Sequence, residues 1–337
     1  MKVTTSQIKE ITTGVVRIEE RDGTVRFYRF SEEQETLYSL TSKDFHMKTF
    51  STAGIRMTFQ TDSSSLGLKV ITEPGSSRQF FSFDVFVDDK CVGYLDNFSE
   101  QELPANYTTA SFPLGQFEKT FTLGAGIKTV KIYFPWSVAT ALQEMTLDDG
   151  SILLPVKAPK RLLMFGDSIT HGYDALRPSN HYSVKLSELL GAEVINKAIG
   201  NEVFFPPLAE IKEDFQPDYI TVAYGTNDWN RTSRTTFLEN CRAFYLALRN
   251  NYPSAKMFAM APTWRKNLEE HREYGSFYQV EKDIQMTVSD LDNVLFLSCF
   301  DFVPKDSTFF SDRVLHPNDL GFEHYSKNIC KEITSKL

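Results

Sequence analysis

A serine that could act as a nucleophile lies in the segment Phe165-Gly166-Asp167-Ser168-Ile169-Thr170. An apolar run, residues 162–165, precedes it, and a helix-like stretch with Tyr182 and several leucines follows it. This pattern predicts a strand, a sharp turn and a helix, with the Ser168 hydroxyl exposed at the edge of a sheet. A hydrolase needs its nucleophile there, because nearby backbone N–H groups can face a developing oxyanion.

Three later segments contain the other groups that such a nucleophile needs. Gly200 lies in segment 196–201, Asn227 in segment 224–229, and His316 in segment 311–318. A serine hydroxyl is a poor nucleophile until a neighbouring imidazole accepts its proton, and His316 could be that base. An oxyanion needs donors such as the Ser168 N–H, a glycine N–H that no Cβ shields, and the Asn227 amide.

The rhythm of the chain after Pro155 and Pro159 indicates which elements position these groups. Apolar runs alternate there with helix-period segments, which predicts a parallel sheet covered on both faces. The runs lie at residues 162–165, 194–195, 219–224, 257–261 and 294–297. Ser168, Gly200 and Asn227 follow the first three, where ligands of such sheets bind, and His316 directly precedes the last helix.

The first half of the chain has a different pattern. Between about residues 10 and 150, apolar and polar residues alternate in short runs such as Ile55-Arg56-Met57, separated by turn-forming clusters. This pattern is typical of an antiparallel sandwich or jelly roll, and we find no clear helical periodicity in this half. The prediction is an all-β accessory domain at residues 1–155 and a catalytic α/β domain at residues 160–337.

The segments around the candidate residues resemble the signature blocks of the SGNH (GDSL) hydrolase superfamily. They read Gly166-Asp167-Ser168, Gly200, Gly225-Thr226-Asn227-Asp228 and His316-Pro317, and the match covers about residues 160–337. The resemblance implies an α/β/α sandwich with a five-stranded parallel sheet and a serine esterase. It assigns the oxyanion hole to Ser168, Gly200 and Asn227. A β domain before the catalytic domain also resembles certain bacterial carbohydrate esterases, including carbohydrate esterase family two.

The sequence departs from the family at the residue that should orient the histidine. The family usually has an aspartate three residues before the histidine, whereas this position is Arg313 and the aspartate is Asp312. A local bulge could still bring Asp312 to Nδ1 of His316. The alternative is a Ser-His dyad oriented by a backbone carbonyl. We expect Asp312 to be the orienting residue.

Three further residues are candidates for contact with substrate. His171 comes one helical turn after Ser168, so it is either a rival base or a side chain at the rim of the pocket. Trp229 and Trp264 follow the third and fourth strands, where each could shape the acyl or sugar site or pack inside its loop. Asp167 and Asp228 are interpreted as structural residues that fix local turns.

Composition and charge exclude several other classes of protein. The net charge of -8 and the absence of basic runs argue against a nucleic-acid partner. The sequence has no apolar stretch of membrane-spanning length and no apparent signal peptide, so a cytoplasmic location is expected unless a leader was removed. The spacing of the four cysteines predicts free thiols, and the proposed chemistry requires no metal or organic cofactor.

The expected function is hydrolysis of small acyl esters, with acetyl groups on carbohydrates favoured by the architectural resemblance. A small-molecule or carbohydrate ester is therefore the expected partner, and oligomeric state is not predicted. The alternatives are a lipase-like or thioester acylhydrolase for longer chains, and a carbohydrate-binding protein with an inactive catalytic domain. The complete set of four family residues argues against inactivity.

Overall fold

The computed structural model describes residues 1–100 and 102–337. The strands are β1 (Thr12–Thr13), β2 (Arg17–Arg21), β3 (Thr24–Tyr28), β4 (Arg56–Thr61), β5 (Ser65–Pro74), β6 (Ser82–Val87), β7 (Lys90–Asp96), β8 (Gly115–Thr122), β9 (Lys128–Tyr133), β10 (Val138–Leu147), β11 (Leu154–Pro155), β12 (Lys160–Gly166), β13 (Ala192–Asn196), β14 (Tyr219–Ala223), β15 (Lys256–Met260) and β16 (Val294–Leu297). The helices are α1 (Thr5–Ile11), α2 (Glu32–Thr41), α3 (Lys43–Thr49), α4 (Ser168–His171), α5 (Tyr182–Leu190), α6 (Pro206–Glu210), α7 (Thr226–Arg231), α8 (Arg234–Asn251), α9 (Phe277–Val288) and α10 (Asp319–Lys336).

The N-terminal half contains two antiparallel sheets. One has the order β1-β4-β9-β6-β7, with β11 paired to β4, and the other has the order β2-β3-β10-β5-β8. Alternate residues of both sheets, such as Phe59 and Val130 of the first and Val70 and Leu142 of the second, share one apolar core. The β-rich fold predicted for this half is therefore confirmed.

The prediction that this half lacks helices is wrong, because α2 and α3 lie between β3 and β4. Helix α2 begins with a capping box in which Ser31 Oγ accepts the Gln34 N–H and Gln34 Oε1 accepts the Ser31 N–H. Its buried positions are Gln34 and Tyr38, both with polar groups. A helix that buries polar groups has little hydrophobic periodicity, and this explains why the apolar pattern did not reveal it.

The C-terminal half is the predicted five-stranded parallel sheet, in the order β13-β12-β14-β15-β16. One face packs on a core that includes Phe244 of α8 and Ile284 of α9. The other packs on a core that includes Leu186 of α5 and Ile329 of α10. Helices thus cover both faces, and the carboxyl ends of β13, β12 and β14 lie side by side.

The two halves meet through a buried cation that follows β3. Arg29 is fully buried and donates hydrogen bonds to the carbonyl oxygens of Asn196, the last residue of β13, and Ala198, just beyond it. On its own side it donates to the Ser51 carbonyl at 2.8 Å and to the Lys48 carbonyl at 3.0 Å. Burial lowers the pKa of Arg29 to about 9, so the guanidinium remains charged at neutral pH.

Replacing this cation tests whether it holds the two halves together. We expect Arg29→Met to lower the free energy of unfolding by about 3 kcal/mol, because several buried carbonyl groups lose their donor. The exposed Arg21 supplies a matched control, and Arg21→Met should change stability by less than about 0.5 kcal/mol. Urea unfolding followed by tryptophan fluorescence measures both; equal effects of the two substitutions would contradict the assignment.

Candidate active site

Ser168 lies at the first position of α4, directly beyond the end of β12. The turn is tight because a Cβ on Gly166 would lie 2.4 Å from Thr170 Oγ1 and 2.9 Å from the Ala223 carbonyl. Asp167 caps the helix, with Oδ1 accepting the Ile169 N–H at 3.0 Å. This bond gives Asp167 the structural position expected from the sequence.

The structure brings Ser168, His316 and Asp312 together. His316 Nε2 is 2.8 Å from Ser168 Oγ, and His316 Nδ1 is 2.7 Å from Asp312 Oδ2. The two ring nitrogens therefore contact different partners: a neutral imidazole can donate from Nδ1 to the carboxylate and accept the serine proton at Nε2. This is the arrangement that activates a serine hydroxyl.

The loop that carries His316 accommodates the extra residue between the aspartate and the histidine. Arg313 adopts a left-handed conformation with φ of 62°, which turns the chain just after Asp312. Asp312 Oδ1 then accepts the N–H groups of Val314 at 2.9 Å, Leu315 at 2.8 Å and His316 at 3.2 Å. A carboxylate, not a main-chain carbonyl, consequently lies at His316 Nδ1.

The charges around His316 favour its protonated form. Burial lowers the pKa of His316, but the hydrogen bond that Nδ1 donates to Asp312 and the negative charges of Asp174 and Asp312 raise it more, so the net pKa lies above the usual 6.5. The same interactions, with the backbone N–H groups of the loop, hold the pKa of Asp312 well below its usual range despite its burial. Asp312 is therefore ionised throughout the neutral range.

The groups expected in the oxyanion hole are arranged only partly as predicted. Asn227 lies in the first turn of α7, and its Nδ2 donates one hydrogen to the Glu202 carbonyl at 2.9 Å, which leaves the second amide hydrogen. Ser168 is at a helix start, where N–H groups have no partner within the helix. The Gly200 N–H, however, donates to His171 Nδ1 at 3.2 Å, so this donor is already occupied.

The structure does not place His171 where a substrate contact or a rival base is expected. His171 is 1% exposed, and its Nε2 lies 2.8 Å from Ser51 Oγ and 3.1 Å from the Trp136 carbonyl. Burial and the nearby positive charges lower its pKa well below the usual value, so the ring is neutral. His171 instead joins the Gly200 segment to the N-terminal half.

The two tryptophans have different environments. Trp229 is 1% exposed, donates from Nε1 to the Gly275 carbonyl at 2.8 Å and packs edge-on against Phe277. It packs inside its loop, which is the second of the two positions expected for it. Trp264 is half-buried, with its ring 5.3 Å from that of Phe310, two residues before Asp312. It supports the histidine loop and keeps exposed surface.

Two residues that contact the histidine are absent from the candidates identified by sequence. The ring of Tyr173 stacks on His316 at 5.7 Å, and Asp174 Oδ2 lies 3.6 Å from His316 Nδ1. Asp174, Asp312 and His316 place potential metal-ligand atoms within 4.8 Å of one another. Hydrogen bonds to protein groups account for this cluster. The position of Asp174 just after α4 is a signal that could have suggested its proximity to Ser168.

Comparison with known proteins defines the class. Residues 164–324 match the model of the GDSL-like Lipase/Acylhydrolase family. The C-terminal half is therefore a GDSL-like lipase/acylhydrolase domain, with the resemblance to SGNH hydrolases confirmed. The chain is a carboxylic ester hydrolase with this domain. A search of curated proteins gave no match.

Solved structures share the fold of both halves. The salicylyl-acyltransferase SsfX3 from a tetracycline biosynthetic pathway is 19% identical, with a TM-score of 0.79, covering 99% of this chain and 97% of that one. A family two carbohydrate esterase from Cellvibrio japonicus is 15% identical, with a TM-score of 0.63 and coverages of 97% and 95%. The acetyl xylan esterase Est2A from Butyrivibrio proteoclasticus is 13% identical, with a TM-score of 0.61 and coverages of 100% and 97%. Within the described residues no helix has the length and apolar character needed to cross a membrane.

Asp312→Asn tests the contact at His316 Nδ1. The substitution keeps an oxygen that can accept the three loop N–H groups but can place an NH₂ donor where the imidazole donates. We expect kcat to fall by about 10⁴-fold, because the histidine then adopts the wrong tautomer. Asp306→Asn, in the same loop region and capping a turn at Thr308, should retain wild-type kcat. A loss under about tenfold for Asp312→Asn would mean that the carboxylate is dispensable.

Asn227→Ala tests the amide donor. Because the Gly200 N–H is occupied, Asn227 should carry much of the charge stabilisation, and we expect kcat to fall by about 10²–10³-fold with a smaller change in KM. Asn230→Ala, three residues along the same helix, is the matched control and should change kcat little. A rise in KM alone would assign Asn227 to substrate binding.

Proposed function

We propose that the protein is a serine esterase in which Ser168 is the nucleophile, His316 the general base and Asp312 the residue that orients His316. The observation that carries this proposal is the continuous pair of hydrogen bonds from Ser168 Oγ through the imidazole to Asp312. Hydrogen-bonded serine, histidine and carboxylate at the end of a strand form the constellation that performs acyl transfer.

The reaction follows from these contacts. Ser168 Oγ attacks the ester carbonyl carbon as its proton passes to His316 Nε2, and the tetrahedral oxyanion is stabilised by the Ser168 N–H and the Asn227 amide. Collapse of this intermediate breaks the ester bond, and the leaving alcohol takes the proton from His316. A water molecule then gives a proton to Nε2 and attacks the acyl-enzyme, which releases the carboxylic acid and restores Ser168. No step requires a metal or organic cofactor.

The proposed substrates are small acyl esters, with acetyl groups on carbohydrates first among them. The support is the shared two-part architecture with proteins named as a family two carbohydrate esterase and an acetyl xylan esterase. A further argument comes from Tyr173, whose ring atoms lie 2.5–2.7 Å from where a Cβ on Gly200 would be. The ring fills the space beside Gly200 and so favours a short acyl group. The cytoplasmic location stays a prediction.

A second candidate differs only in the acceptor of the acyl group. The salicylyl-acyltransferase matches almost the full length of this chain, with the TM-score of 0.79 given above. An alcohol in place of water would be deprotonated by the same His316 and would yield a new ester. Hydrolysis and transfer are therefore separated by the product formed when an alcohol is supplied, not by the residues of the site.

The central test compares p-nitrophenyl acetate, butyrate and octanoate, followed by acetylated sugars. We expect kcat/KM for acetate to exceed that for octanoate by about tenfold or more, because each added methylene must fit the pocket. Ser168→Ala should remove activity by several powers of ten while leaving thermal stability nearly unchanged. Retention of a tenth of wild-type kcat would overturn the nucleophile assignment. Preference for octanoate would favour a lipase-like enzyme, and inactivity on every ester would favour a binding protein.

A further inference from the structure

A second carboxylate lies beside the imidazole, on the same side as Asp312. Asp174 Oδ2 is 3.6 Å from His316 Nδ1, compared with 2.7 Å for Asp312 Oδ2. Asp174 is completely buried and has a left-handed backbone with φ of 70°, an unusual conformation for a residue with a side chain. A buried carboxylate so close to a ring N–H would compete with Asp312 for that N–H if it had no other partner.

Asp174 has such a partner, and it comes from the other half of the protein. Arg78, in the loop between β5 and β6, donates from Nε to Asp174 Oδ1 at 2.7 Å and from Nη2 to Oδ2 at 3.2 Å. The guanidinium also lies 5.2 Å from the centre of the Tyr173 ring, which itself stacks on His316. The Arg78 side chain is 14% exposed, so solvent screens this pair only partly.

We propose that Arg78 is a positioning residue for His316: by pairing with Asp174 it neutralises the second carboxylate and leaves Nδ1 of the imidazole to Asp312. This inference rests on the proposed function, because it assigns a role relative to the general base. The N-terminal half thereby contributes to the catalytic site, because it supplies the positive charge that balances Asp174.

The charged and titratable neighbours of His316 determine the direction of the effect. Asp312 and Asp174 raise the pKa of His316, and Arg78 lowers it. Asp167, behind Ser168, interacts with the charge of His316, and Arg265 with the charges of Asp167 and Asp312. Removing the positive charge of Arg78 should therefore stabilise the imidazolium, and removing the negative charge of Asp174 should destabilise it.

The pH profile of kcat/KM tests this role. Only the neutral imidazole accepts the serine proton, so activity falls on the acid side as His316 becomes protonated. We expect Arg78→Gln to move this acid limb to higher pH by roughly one unit, and Asp174→Asn to move it to lower pH by roughly one unit. The double variant should lie between the two, and Arg78→Lys should restore most of the wild-type position.

A second ion pair between the halves provides the control. Arg177 donates to Asp96 Oδ2 at 2.5 Å, with side-chain exposures of 17% and 4%, close to the 14% and 0% of Arg78 and Asp174. Arg177→Gln removes a comparable pair that does not contact His316. This substitution should lower the thermal stability by a similar amount and leave the acid limb of the pH profile unchanged. An unshifted limb in Arg78→Gln, or shifts of both single variants in the same direction, would overturn the proposal.

Direct titration of His316 separates this inference from the proposed function. Nitrogen-15 NMR of labelled histidine rings gives the pKa without any substrate, and His316→Gln identifies its signal among the six histidines. A higher pKa of His316 in Arg78→Gln than in wild type and Arg177→Gln is the expected result. An unchanged pKa would refute the role of Arg78 even in an active esterase. If no ester were hydrolysed in a Ser168-dependent manner, the proposed function would fail while the titration still reported on the ion pair.

Discussion

The arrangement of the Gly200 segment depends on a buried cation that donates to no carboxylate among the residues the structure describes. Arg29 satisfies its guanidinium entirely with main-chain oxygens and the Ser51 hydroxyl. Burying such a charge is costly unless each donor is used, so the acceptors must stay where they are. Two of these acceptors are the carbonyls of Asn196, at the end of β13, and Ala198, in the segment that leads to Gly200. Lys48 adds a bond to the Gly200 carbonyl at 2.9 Å.

The N-terminal half consequently differs from an appended binding module. A module connected only by a linker could be removed without disturbing the catalytic half. Here Arg29 and Lys48 bind carbonyl groups of the Gly200 segment, and Arg78 binds Asp174 beside His316. The Gly200 N–H donates to His171, and His171 in turn contacts Ser51 of the N-terminal half. The N-terminal half therefore holds the Gly200 segment in position and the histidine that accepts its N–H.

The parts of the structure that could be predicted from the sequence are those fixed by local patterns. The sequence predicts that Ser168, Gly200 and Asn227 lie at one edge of the parallel sheet, because each residue follows a strand at a short distance along the chain. The sequence predicts the contact between Asp312 and His316, but the left-handed conformation of Arg313 that makes this contact possible is visible only in the backbone. The sequence does not reveal that His171 and Trp229 are buried, because burial is a tertiary property and the local sequence around a ring is the same whether it faces solvent or the protein interior. Arg29 and Arg78 carry no local signal, since their partners Asn196 and Asp174 in the C-terminal half lie 167 and 96 residues away in the chain.

The charged groups around His316 are distributed unevenly between its two ring nitrogens. Two carboxylates face the Nδ1 side of His316, and the serine hydroxyl faces Nε2, so proton uptake at Nε2 creates a cation next to fixed negative charge. A single carboxylate already achieves this, and a second unbalanced one would stabilise the cation further and raise the pKa of the base. The Arg78 guanidinium limits that effect by pairing with Asp174, whose carboxylate lies beside Nδ1. Base strength is thus set by three charges contributed by both halves of the chain, and neither half alone contains the complete set.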